Sequence, residues 1–183
     1  QPESARAWAL LGLAYDWLGL TDRAVQFCER AVALDPTLPE AYAYLAEAYI
    51  DNGQWMAANE AIATAIELDD LDVDVLRNQG YVLENQGNYS GAIQAYRDAL
   101  EVQDNLAHLY LAIGRNAMAL QNLSLALDAY EDAVAVDPEN ARALDRLGWT
   151  QLLIGDYESA RPNLSAALEI DPTLSDAYVH LGT

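Results

Sequence analysis

The densest group of titratable side chains is Asp69, Asp70, Asp72 and Asp74. Carboxylates at 70, 72 and 74 alternate like the opening of a calcium loop. Such a loop needs Gly at its sixth position and Glu at its twelfth; here those places hold Val75 and Tyr81. The run is therefore predicted to cap the helix that follows, where carboxylates suit the positive end of the helix dipole. Cys28, the single cysteine, has no basic neighbour to favour a thiolate, so it reads as a structural thiol. His108 and His180 stand far apart and match no zinc-ligand spacing. Neither a phosphate-cradling glycine loop nor a dinucleotide glycine pattern is present. Asn-x-Ser triplets begin at Asn88, Asn122 and Asn163, and turns rich in both residues produce them by chance. These residues predict no catalysis, no metal and no cofactor.

Composition narrows the partner class. The 183 residues carry 29 Asp and Glu against nine basic residues, a formal net charge of -20, and all nine are Arg. Phosphate backbones require a basic counter-surface, so nucleic acid is excluded as a partner. No apolar run approaches the ~18 residues that cross a bilayer, so no membrane insertion is expected in this segment. Yet 52% of residues are hydrophobic, far above what a disordered chain of this charge would hold.

The elements that organise these residues follow from an internal repeat. Displaced by 34 residues, the chain aligns with itself without insertion, from Ala5, Pro39, Val73, Ala107, Ala141 and a partial copy at Ser175. Position 8 of each copy reads Gly12, Ala46, Gly80, Gly114, Gly148 and Gly182. Position 20 reads Ala24, Ala58, Ala92, Ala126 and Ala160, and position 27 reads Ala31, Ala65, Ala99, Ala133 and Ala167. Small residues in fixed register allow two helix axes to approach closely. Larger residues at positions 4, 7, 24 and 30 are expected to fill the space beside them. Gly19, Gly53, Gly87 and Gly155 stand where a left-handed helix end wants Gly, and Pro36, Pro138 and Pro172 separate the copies. Each copy is predicted as two helices, over positions 1–14 and 17–31.

These features resemble the tetratricopeptide repeat (TPR) family over nearly the whole chain. The resemblance implies an all-α fold, a right-handed α-solenoid of antiparallel helix pairs with a concave groove lined by the first helices. One array over 1–183 is expected, with repeats 5–38, 39–72, 73–106, 107–140, 141–174 and a partial 175–183. Pro2 and Thr183 fall inside the pattern of further copies, so the chain is expected to come from a longer array. Its ends would then be uncapped and open to self-association. Departures are local: Asp70 and Asp104 replace Pro, Gln121 replaces the turn Gly, and Pro162 falls inside a second helix, where a kink is expected.

In similar proteins, positions 2, 5, 9, 12 and 13 of the first helices contact ligands. Carried over, the resemblance nominates Arg77, Tyr81, His108, Arg115, Met118, Arg142 and Trp149 as the partner-binding groove. The row Tyr81, Arg115, Trp149 repeats position 9 in three successive copies, and aromatic and Arg side chains are common interface anchors. Carboxylates share the same set of positions, so the groove as a whole is not expected to be basic. The family's clamp for chaperone C-termini finds no register here, since Tyr81 and Ala112 stand where Asn is needed. The function implied is a non-catalytic scaffold gripping a peptide or helical segment of a partner protein. Alternatives are a self-associating array or a recruiting arm of a larger enzyme. No residue marks a compartment, and cytoplasm is the default expectation.

Overall fold

The computed structural model describes residues 4–182. Pro2 and Thr183, on which the expectation of further copies partly rests, lie outside them. The described residues are helical throughout, with no strand. The chain divides into two compact units, Gln1–Asp104 and Asn105–Thr183. The first holds α1 (Ala5–Trp17), α2 (Thr21–Leu34), α3 (Pro39–Asp51), α4 (Trp55–Leu68), α5 (Val73–Asn85) and α6 (Tyr89–Val102). The second holds α7 (Ala107–Ala119), α8 (Leu123–Val136), α9 (Ala141–Ile154), α10 (Tyr157–Ile170) and α11 (Ser175–Leu181). The division falls in the connection after α6, where Asp104 replaces the usual Pro.

Helices of 13 or 14 residues are marginal alone, so packing must hold them. Each odd helix pairs with the even one after it, and first helices pack on first helices: α1 on α3 and α3 on α5 in one unit, α9 on α11 in the other. The seam between partners is made of the small residues. Ala24, Ala31, Ala58, Ala65, Ala92, Ala99, Ala126, Ala133, Ala160 and Ala167 are all fully buried. Position 8 faces position 24 of the same repeat: a Cβ on Gly12 would stand 2.3 Å from Cys28 Sγ, and one on Gly148 2.7 Å from Leu164 Cγ. Cys28 is a core residue as predicted, and burial pushes its thiol up to about 12. Position 30 departs from expectation. Leu34, Leu68, Val102, Val136 and Ile170 are exposed by 38 to 51%, because the helix ends there and its last turn leaves the seam.

Every hairpin closes the same way. Gly19, Gly53, Gly87 and Gly155 have φ of 72, 73, 77 and 87°. In each turn the following N–H reaches back five residues, as Leu20 N to Tyr15 O at 2.9 Å and Asp156 N to Gln151 O at 2.9 Å. Gln121 adopts φ 57° in the same turn, and Asn122 N still bonds Ala117 O at 2.9 Å. The packing dictates the left-handed residue whatever its side chain, at a cost for any residue with a Cβ. Gln121→Gly is therefore expected to stabilise the protein by about 0.5–1 kcal/mol in urea unfolding; an unchanged midpoint would show that the turn carries no strain.

Starts are capped locally. Asp72 accepts from Asp74 N at 2.9 Å and Val75 N at 3.0 Å, the capping role predicted for the acidic run. Asn88 and Asn122, from the Asn-x-Ser triplets, cap α6 and α8. Helix α10 remains one element through Pro162, which is exposed, so the backbone bond it omits lies at the surface.

Candidate functional site

In the second unit, α7 and α9 present the same stripe. Leu111, Arg115 and Met118 recur at i, i+4, i+7 on α7, and Arg142, Arg146 and Trp149 do so on α9. The two stripes line one cleft of about 470 Å³, completed by Thr150, by Tyr130 from α8, and by Leu174 and Asp176. Four of the nominated residues, Arg115, Met118, Arg142 and Trp149, are thus brought together. His108 is exposed at the start of α7 and is not among the lining residues.

The cleft corrects the expectation of a charge-balanced groove. Between residues 105 and 183 there are four Arg and eleven Asp or Glu. Three of those Arg and one of those carboxylates, Asp176, line the cleft, so positive charge is gathered locally within an acidic unit. Arg146 Nη2 meets Asp176 Oδ2 at 3.1 Å, and its Nε lies 3.8 Å from Asp145 Oδ2. Arg142 is exposed and forms no ion pair with a described residue. Burial pushes the Tyr130 hydroxyl above its ordinary value, while the nearby Arg146 and Arg115 pull it back.

Trp149 is held in place from behind. The His180 ring stacks on it with centroids 4.3 Å apart and 17° between planes. His180 Nδ1 in turn lies 2.7 Å from Oδ1 of Asp145, which is fully buried. Thr150 Oγ1 donates to Arg146 O at 2.8 Å. The indole is half-buried, with its outer part on the cleft.

Arg77 and Tyr81 belong to the first unit and are used within it. Arg77 Nη2 meets Glu47 Oε2 at 2.9 Å and its Nε lies 3.8 Å from Asp74 Oδ1. Tyr81 donates its hydroxyl proton to Asp51, and Tyr44 donates to Asp74 at 2.8 Å. Asp16, only 6% exposed, is pushed up to about 7 by burial, then by the charges of Asp51 and Glu47 and a hydrogen bond with Asp51. First helices α1, α3 and α5 are therefore tied by a polar network in which both nominated side chains are already engaged.

Sequence reasoning missed Arg146, Thr150, Tyr130, Leu174 and Asp176. Arg146 was legible as the middle of the i, i+4, i+7 stripe on α9. Among the described residues, no group of three or more His, Cys, Asp or Glu could hold a metal ion. No described helix is long and apolar enough to cross a membrane.

Stacked helix hairpins with a lined cleft and no array of catalytic groups define a repeat scaffold. Tetratricopeptide repeat models match residues 5–38, 27–59, 45–107 and 101–173. The chain belongs to the tetratricopeptide repeat family, whose fold is that of a protein-interaction scaffold. No curated protein sequence matches it. Among solved structures, PilF of Pseudomonas aeruginosa is similar at TM-score 0.85 and 20% identity, covering 97% of this chain and 81% of that one. The thermophilic TPR protein TTC0263 of Thermus thermophilus is similar at TM-score 0.77 and 22% identity, over 98% and 97% of the two chains. YrrB, described as a TPR protein with an unusual peptide-binding site, is similar at TM-score 0.71 and 21% identity, over 99% and 93%. At these identities the likeness is one of fold.

Proposed function

We propose that this chain is a non-catalytic scaffold that seats a segment of a partner protein in the cleft between α7 and α9. The observation that carries this reading is the convergence of three guanidiniums, an indole and a thioether on one concavity. Such a mixture suits a polypeptide: Trp149 and Met118 offer apolar area, and the Arg forks offer directed donors. The peptide-binding site described for YrrB supports the idea that a fold of this kind can carry one.

Selection of randomised displayed peptides against the full chain supplies test ligands of defined sequence. Trp149→Ala and Arg115→Glu are each expected to weaken the selected peptides about tenfold or more in anisotropy titrations, as loss of an interface anchor does. Arg115 is exposed, so its substitution leaves packing intact. Selected peptides indifferent to both substitutions would remove the cleft assignment.

A further inference from the structure

Resting on that cleft reading, we infer that the seated segment carries an acidic side chain, and that Asp176 occupies part of its place until it arrives. The cleft already holds one carboxylate. Asp176 Oδ2 lies 3.1 Å from Arg146 Nη2, and Leu174, two residues earlier, lines the same wall. The chain itself thus lays a short stretch, an apolar residue followed two places on by an acid, against α9. A partner segment built alike meets complementary groups: Arg142, which has no ion pair with a described residue, and the half-buried face of Trp149.

Charge complementarity selects the occupant. A basic segment would be drawn to an acidic unit almost anywhere on its surface, but not into the place where its arginines are gathered. An acidic segment is repelled by the rest of the unit and accepted only here, which makes the cleft selective. Asp176 is 55% exposed at its side chain, so its pairing with Arg146 is a solvent-screened contact that an incoming carboxylate can replace. The ligand is a side-chain carboxylate within a continuous chain, because the carboxylate that the cleft holds now is presented in that way.

The test uses the full chain and two blocked peptides, acetyl-Gly-Leu-Ser-Glu-Phe-Gly-amide and its Gln counterpart, titrated against the indole N–H signal of Trp149. The Glu peptide is expected to bind at least fivefold tighter than the Gln peptide. Arg142→Gln, an exposed change, is expected to abolish that preference. Asp176→Asn is expected to strengthen the Glu peptide about threefold and leave the Gln peptide unchanged. Equal affinity of the two peptides, or no binding of either, overturns the inference. So does a preference that survives Arg142→Gln. A Gln peptide with a free C-terminus that outbinds the blocked Glu peptide would transfer the site to terminal carboxylates. Failure of the cleft reading shows separately, as selected peptides that ignore Trp149→Ala.

Discussion

Replacing Gly114 by Ala is expected to destabilise the protein by about 2 kcal/mol, against the usual gain of ~1 kcal/mol when Ala replaces Gly in a helix. The added Cβ would stand 2.3 Å from Tyr130 Cε1 and 2.6 Å from Cζ. Tyr130 is only 3% exposed, so its ring has no free volume to enter, and overpacking of this kind costs ~1–3 kcal/mol or more. Repeat two shows the remedy. It carries Ala46 at the equivalent of Gly114 and Ile62 at the equivalent of Tyr130, and both are buried. Gly114→Ala combined with Tyr130→Ile should therefore recover most of the loss, although Tyr130→Ile alone leaves a cavity and destabilises. Urea unfolding of the four proteins gives the coupling, expected above about 1 kcal/mol. Simple additivity would mean that positions 8 and 24 do not share one space.

Asp16→Asn is expected to stabilise the protein at alkaline pH and to have little effect in acid. Asp16 is nearly buried, its Oδ1 has no hydrogen-bond partner, and its other contacts are to Asp51 and Glu47. In the unfolded chain an Asp ionises near ~3.9; in the fold this one keeps its proton up to about 7. Between those values the folded state holds a proton that the unfolded state has released, so stability declines as pH rises through the window and levels off above it. Asn keeps the neutral form and can still donate to Asp51. The gap between Asn and parent should therefore grow from near zero at pH 4 to about 2 kcal/mol at pH 8, each tenfold change in proton affinity being worth ~1.4 kcal/mol at most. Unfolding midpoints at the two pH values check this. A gap that does not change with pH would mean that Asp16 titrates as an ordinary surface carboxylate.

The hairpins were readable because their determinants recur. Ala at positions 20 and 27 and Gly or Ala at position 8 mark a seam with no room for anything larger, and structure and sequence agree there residue by residue. The position-30 residues were misread because periodicity alone does not tell where a helix leaves its partner. The cleft was half readable. First-helix positions nominated Arg115, Met118, Arg142 and Trp149, whereas Tyr130 comes from a second helix and Asp176 from the following repeat.

Arg77 and Tyr81 were assigned to a partner because their true partners lie 30 residues away. Tyr44 bonds Asp74, Arg77 meets Glu47, Tyr81 bonds Asp51 and Arg146 meets Asp176, all at that separation. One repeat less one helical turn is the offset at which consecutive first helices face each other. A search for complementary pairs at this separation would have found all four.

That offset has a consequence for descent by duplication. The alanine seam is the same in every copy, so it would accept the copies in any order. The pairs at 30 residues would not: a third repeat placed before the second would set Asp74 and Arg77 against strangers. Neighbouring copies in the first unit thus carry a written address for one another, and shuffling them would leave an intact core with its polar correspondence scrambled.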